Sequence, residues 1–241
     1  MRILYLQTFP FWGSGSGTYA RHLASEIGRR HKVAILAPDD RPIERARLYT
    51  VKLPFRVAFT GHPEWPGCKL YTELSSEEIF KIRETFTRGT IKAYEDFKPD
   101  ILHVHHAFPM TWAAGFIKDS YKTNFIVTIH GSELPTLEKD KRYWQRTSDA
   151  MYRAKRIVPN SGWTRDWFVR IFKGYFHEKC RVIPGGVNIN KFVYSQSGAK
   201  TVDKELGLKG KPVVLFAGKL TKYKGVEYLL GAAKKIHGEV V

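Results

Sequence analysis

Residues 11–24 read FWGSGSGTYARHLA and follow an opening run, MRILYLQT, over residues 1–8. A short apolar run, three glycines alternating with serines, and then an immediate helical pattern give the order strand, turn, helix. Ala20, Leu23, Ala24 and Ile27 fall at i, i+3, i+4 and i+7, one face of that helix. Glycines at Gly13, Gly15 and Gly17 let the main chain approach a bound group closely, and the free N–H groups of a helix start point toward an anion. The G-x-G-x-G spacing lacks the third glycine of the dinucleotide fingerprint, and no acidic residue closes the next run, KVAILAP, which argues against a NAD site. A flexible loop with a glycine at the helix cap would read the same way, and these residues alone do not separate the two.

Further apolar runs recur with helical patterns between them. Strands are expected at Ile3–Thr8, Lys32–Ala37, Ile101–His105, Phe125–His130, Arg156–Pro159, Arg181–Pro184 and Val213–Ala217. Most are apolar on both faces, as parallel strands covered by helices on each side must be. The longest helical stripe is Ile79, Ile82, Phe86, Ala93 and Phe97, and Ser75 with Glu78 spells a capping box in front of it. The alternation predicts an α/β, doubly wound, mostly parallel sheet with helices on both faces, a Rossmann-like domain over residues 1–189. Residues 190–211 are polar and rich in Gly and Lys, and read as a linker with one short helix. The pattern restarts over 212–241 with PVVLFAG and a helix whose Val226, Leu229, Leu230 and Ala233 share a face. One strand and one helix cannot bury their own apolar faces, so either Val213–Val241 packs onto the first domain or it is the start of a second domain cut short, whose exposed apolar surface would invite a homodimer.

The 241 residues, 43% of them hydrophobic, suffice for one large domain or one domain and part of another. Forty Lys and Arg against 23 Asp and Glu leave a net charge of +17, which attracts polyanions, acidic headgroups or phosphorylated ligands. The lysine-rich surface of a heat-adapted protein would look alike. No nucleic-acid motif with interleaved aromatics is present, so nucleic acid is not an expected partner. Cys68 and Cys180 stand far apart and read as packing residues of a reducing compartment. The opening run is too short for a signal peptide and no later run matches a membrane span, so a cytoplasmic location is expected. Lys139, Arg142, Tyr143 and Trp144 leave peripheral contact with anionic lipid open, beside the plainer reading of an ordinary amphipathic helix.

Two further concentrations carry chemistry. In DILHVHHAF, period-two alternation puts His103 and His105 on one strand face, with His106 just past its end. Histidines so spaced can begin a metal site, but no Asp stands at a matching later strand end, so no metal is expected. His103 reads as structural, satisfied by backbone, whereas His105, His106 and His130 sit near carboxyl ends of strands, where open α/β sheets bind ligands. In FAGKLTKYKGVEYLL, Lys219 and Lys224 flank a helix start, a suitable receptor for a diphosphate, although a solvated basic turn would look the same.

In this order the motifs resemble the retaining GT-B glycosyltransferases of family 4, also called glycosyl transferases group 1. GSGSGTYARHLASEI is similar to that family's Gly-rich loop and first helix, KPDILHVHHAF to its Pro-Asp-x-x-His-x-His strand, and IVTIHGSEL to its Thr-x-His segment. VIPGGVNINKF resembles the Ile-Pro-Asn-Gly-Val-Asp-x-x-x-Phe at the end of its first domain, and FAGKLTKYKGVEYLL the Gly-Arg-Leu-x-x-x-Lys-Gly opening its second. Gly185 stands where the family has Asn, Asn188 where it has Asp, and Lys219 where it has Arg. The Glu-x7-Glu motif of the donor domain would fall beyond Val241.

The resemblance implies transfer of a sugar from a nucleotide-diphospho-sugar to an acceptor (a sugar, a lipid-linked or a small molecule) with retention, without an obligatory metal or other cofactor. It implies Gly13, Gly15, Gly17, Lys219 and Lys224 at the donor diphosphate, His130 beside the reacting sugar as the catalytic residue, and His105, His106 and Glu133 on the acceptor side. With most of the donor domain outside the chain, the 241 residues alone are expected to be inactive. A sugar-nucleotide epimerase of the same fold, or a basic nucleic-acid- or membrane-binding protein, are the rival readings.

Overall fold

The opening apolar run forms β1 (Arg2–Leu6), and the helical pattern behind the glycines forms α1 (Gly15–Ile27). The structure, a computed structural model, describes residues 1–60, 67–208, 212–218, 220, 222–236 and 239–240. The chain divides into two compact units, Met1–Gly185 and Gly186–Val241.

In the first unit β2 (Lys32–Ala37), the short β3 (Arg47–Thr50), and a two-stranded ribbon of β4 (Val57–Ala58) and β5 (Lys69–Leu70) precede the long α2 (Ser76–Phe97). Then β6 (Ile101–His105), α3 (Met110–Tyr121), β7 (Asn124–Ile129), α4 (Leu134–Lys139), α5 (Lys141–Arg153), β8 (Arg156–Pro159) and α6 (Gly162–Ile171) follow. Six strands pair in parallel in the order β3-β2-β1-β6-β7-β8. The chain winds outward from β1 to β3 and then crosses to β6 on the other side. The order therefore reverses between β1 and β6, and such a reversal leaves a crevice at the carboxyl ends of the strands.

The pleat sorts the strand residues onto two faces. Leu4, Leu6, Ala34, Leu36, Leu102, Val104, Phe125, Val127 and Ile129 point into the larger core, which also holds Ile82 and Phe86 of α2, Ile117 of α3, Met151 of α5 and Phe168 of α6. Tyr5, Val33, Ile35 and Ala37 point to the other face, where Ala20 and Ala24 of α1 cover them. The α2 start carries the capping box, Ser75 Oγ accepting from Glu78 N–H at 3.1 Å and Glu78 Oε2 from Ser75 N–H at 3.0 Å.

The doubly wound parallel sheet is as expected, with differences at its margins. Residues 181–184 do not form a strand; Arg181 N–H and Ile183 N–H bond to the Ile157 and Pro159 carbonyls, but only Cys180 bridges Ile157 as a ladder residue. Pro184 has no N–H to continue such a ladder. Conversely, β3 arises from RLYT, too short an edge segment to announce itself. Cys68 and Cys180 are free thiols packed at the margin of the larger core.

In the second unit α7 (Gln196–Leu206) is capped by Ser195, whose Oγ accepts from Gly198 N–H at 3.0 Å, and ends at Gly207 in the left-handed region. The strand expected over Val213–Ala217 is confined to β9 (Val213–Val214), followed by α8 (Val226–Ala232) and by β10 (Glu239–Val240), which pairs in parallel with β9. Leu215, Leu220, Tyr228 and Leu230 are exposed. Among the described residues no helix is long and apolar enough to cross a membrane.

The glycines of the first turn differ in why they are glycines. A Cβ on Gly17 would meet Pro10 O at 2.5 Å and Phe11 C and Cα at 2.8 Å, all backbone, whereas one on Gly15 would meet nothing within 4 Å. Gly17→Ala should therefore cost about 1–3 kcal/mol of stability through overpacking. Gly15→Ala should be neutral or gain up to about 1 kcal/mol from helix propensity. Urea midpoints of the two variants check this; equal effects would contradict it.

Candidate functional site

The loop between β1 and α1 is held before any ligand arrives. Ser14, not a glycine, caps α1: its Oγ accepts from Gly17 N–H at 3.0 Å, and its carbonyl from Thr18 N–H at 3.0 Å. The amides of Gly15 and Ser16, earlier in the first turn, have no intrahelical carbonyl to reach. A Cβ on Gly15 would meet nothing within 4 Å. Gly13 takes φ of 80°, a turn that favours glycine. Behind the loop, buried Asp39 accepts from Phe11 N–H at 2.9 Å and from Arg41 Nε at 3.1 Å. Burial alone would raise the Asp39 pKa, but the Arg41 and Phe11 hydrogen bonds bring it below the usual range. Arg41 in turn covers the Trp12 ring at 4.1 Å.

The histidines gather at the ends of β6 and β7. His103, His105 and Thr128 share the sheet face that α1 occupies further along, as period-two spacing requires. His103 Nε2 meets Thr128 Oγ1 at 2.8 Å, a side-chain partner where a backbone one was expected. The His103 and His105 rings stack at 4.8 Å, and His105 Nδ1 meets His130 Nε2 at 3.0 Å. His106 leaves the strand with φ of 74°, and its ring lies 4.7 Å from that of His130 and 5.2 Å from that of Phe9. Its Nδ1 faces Glu133 Oε2 at 3.4 Å and its Nε2 faces Ser16 Oγ at 3.2 Å. Glu133 Oε1 accepts from His130 N–H at 3.1 Å and Ala107 N–H at 3.3 Å. An ionised carboxylate only accepts, so His106 carries hydrogen on Nδ1. Tyr19, from the second turn of α1, lays its ring edge-on to His130 at 5.2 Å, and Asn160 Nδ2 donates to the His130 carbonyl at 3.1 Å.

Burial sets the electrostatics. It lowers the His103 pKa to about 4 and the His130 pKa to about 3, and drives that of His105 well down, with the neighbouring histidines adding to the last two. Burial pushes the other way on Glu133, but His106 and the main-chain donors outweigh it and hold the carboxyl at about 2. Burial thus keeps His103, His105 and His130 neutral beside an ionised Glu133.

Of the residues expected at the site, Gly13, Gly15, Gly17, His105, His106, His130 and Glu133 come together around the ends of β1, β6 and β7. Gly17 does so inside the helix and packed against Pro10 and Phe11. His105, His106 and Glu133 are fully buried, whereas His130 is half-buried. Lys224 is exposed in a short 3-10 turn, Lys222–Lys224, of the second unit. Lys219 lies outside the described residues. Among the described residues no group of three or more His, Cys, Asp or Glu could hold a metal ion. The four residues named for lipid contact do not form one face: Tyr143 is fully buried and donates to the Tyr71 carbonyl, and Trp144 Nε1 donates to the Ile171 carbonyl. Ser14, Ser16, Tyr19, Asp39 and Asn160 were not singled out beforehand, and of these Ser14 alone carried a local signal, a serine at a helix start.

Residues 13–191 match the model of Glycosyltransferase Family 4. The chain belongs to this family. The putative teichuronic acid biosynthesis glycosyltransferase TuaC of Bacillus subtilis (strain 168) is 23% identical over 150 residues, which are 58% of this chain and 36% of that protein. Two solved structures share the fold over 100% of this chain: HepE from Anabaena in complex with UDP, at a TM-score of 0.66 and 15% identity, and sucrose-phosphate synthase from Thermosynechococcus elongatus, at 0.67 and 15%. The chain spans 62% and 61% of those two proteins. The family match covers the Gly-rich turn and the whole histidine cluster.

A histidine whose pKa is lowered in the folded state binds its proton in the unfolded state first, so stability is complete above the ordinary value of 6.5 and falls with pH toward the folded value. Glu133, lowered from 4.5 to about 2, loses its contribution in the same direction at lower pH. For His103, lowered from 6.5 to about 4, the loss between pH 7 and pH 4.5 is about 2 kcal/mol. Urea midpoints at these two pH values should show the His103→Gln variant losing less stability on acidification than the native chain by about that amount. An equal loss would contradict the placement of His103 as a buried neutral ring.

Proposed function

We propose that this chain is the acceptor-side domain, with the start of the donor-side domain, of an enzyme that moves a sugar from a nucleotide-diphospho-sugar to an acceptor with retention of configuration. One observation carries the reading: the α1 start, whose first amides lack intrahelical acceptors, is tied to the histidine cluster through Ser16 and His106 at 3.2 Å, at the strand-order reversal. A diphosphate against those amides meets the positive end of a helix and puts the attached sugar beside His130. Catalysis on this reading is electrostatic: helix N–H groups and basic side chains take up charge as the diphosphate leaves, with no obligatory metal. Lys219 and Lys224 are assigned to the diphosphate from the family resemblance. The UDP complex of HepE supports a nucleotide-bound donor.

The buried His105, His106 and Glu133 then act on the acceptor side by shaping the floor of the crevice and not by touching the acceptor in this closed packing. The acceptor itself is assigned to variable loops, residues 41–60 among them. With 62% and 61% of the two structural neighbours spanned, transfer by these 241 residues alone is taken as weak or absent. The enzyme works in the cytoplasm, with any membrane contact peripheral, and the exposed apolar side chains of the second unit favour self-association of the isolated chain.

Calorimetric titration with UDP tests the reading, beside a transfer assay with a panel of nucleotide-diphospho-sugars. Weak binding that requires the diphosphate, and that falls about tenfold (about 1.4 kcal/mol) in Gly15→Val, is expected, with no robust turnover. Binding indifferent to Gly15→Val, or vigorous transfer by the native chain, would show the donor site to be elsewhere.

A further inference from the structure

The His105–His130 contact has two arrangements, since one ring nitrogen must carry the hydrogen and the other the lone pair. Either His105 Nδ1–H donates to His130 Nε2, or His130 Nε2–H donates to His105 Nδ1, across 3.0 Å. They differ in what is left on the far nitrogen of each ring. His105 is fully buried, and its Nε2 has no hydrogen-bond partner. In the second arrangement that nitrogen carries a buried N–H with no acceptor. In the first it carries a lone pair only. Buried N–H groups without partners are rarer than buried acceptors without them, which favours the first.

The surroundings also make this a choice between tautomers and not between charge states. Burial holds both rings neutral, the His130 pKa lying at about 3. His103, stacked on His105 at 4.8 Å, is committed to Thr128, and His106 to Glu133 and Ser16, so neither competes for the His105–His130 pair. Around His130 the main chain is fixed as well, its N–H on Glu133 and its carbonyl on Asn160, while Tyr19 abuts the ring. Nδ1 is the ring atom that none of these bonds uses.

We infer that His105 is a positioning residue that donates Nδ1–H to His130 Nε2 and thereby fixes His130 as the Nδ1–H tautomer, so that the remaining ring nitrogen of this half-buried residue is a hydrogen-bond donor and no base. The group such a donor recognises is an oxygen with free lone pairs, a sugar hydroxyl or ring oxygen of the bound substrate. His130 cannot remove a proton from an acceptor hydroxyl through Nε2, because that lone pair is already engaged. This rests on the reading of His130 as the residue beside the reacting sugar, but the tautomer itself exists without substrate, so it can be measured whether or not that reading holds.

The test is a long-range 1H–15N correlation spectrum of the full chain labelled with 15N-histidine, near neutral pH and without ligand, with His130 assigned by its loss in His130→Gln. The native chain should give His130 a protonated Nδ1 and a bare Nε2, and His105 the same pattern. In His105→Phe, which keeps a ring but donates nothing, His130 should shift to the Nε2–H form or to a mixture. In His105→Asn, whose amide N–H takes the place of Nδ1–H, the native pattern should return. An Nε2–H tautomer at His130 in the native chain overturns the inference without need of a variant. An unchanged spectrum in His105→Phe, or no recovery in His105→Asn, overturns the role given to His105.

Discussion

The buried carboxylate of Glu133 is the constraint on which the crevice depends. With one oxygen it takes the main-chain N–H groups that follow β6 and β7, and with the other it faces His106, which reaches on to Ser16 in the first turn of α1. Three segments distant in sequence are thus referred to a single anion. A charge closed off from water is tolerated when it is hydrogen-bonded on all sides, and stripping away its partners is costly. The same arrangement that makes Glu133 tolerable therefore ties the start of α1 to the end of β7 where His130 stands.

That geometry follows from the sheet. Parallel pairing brings β1 and β6 side by side at the reversal of strand order, and the pleat sends Leu102 and Val104 into the large core while His103 and His105 go to the face of Tyr5 and α1. A shift of one residue in β6 would bury aliphatic side chains beneath the crevice and drive imidazoles into the apolar core. The registers Tyr5 to His103 and His105 to Thr128 are accordingly as much a part of the site as the histidines themselves.

Much of this was legible in the chain, and the portion that was not has a common physical cause. The change from a strand pattern to a helical one across Gly13–Gly17, the capping box of Ser75 and Glu78, and the shared face of His103 and His105 depend on residues a few positions apart, and all appear in the structure. What escaped depends on contacts over long separations. Gly17 is a glycine because Pro10 and Phe11 close over it, Asp39 returns to Phe11, Asn160 reaches the His130 carbonyl, and Tyr143 turns inward to Tyr71. No local pattern signals any of them. Likewise RLYT pairs with β2 because an edge was free, not because four residues declare a strand.

The central claim is that a diphosphate is received by main-chain N–H groups at the start of α1. Amide chemical shifts of the labelled chain, followed during titration with UDP, test it directly. The account predicts that Gly15 and Ser16 move most, saturate together, and respond far less to uridine. Large shifts elsewhere, with the Gly15 and Ser16 amides unmoved, would contradict it.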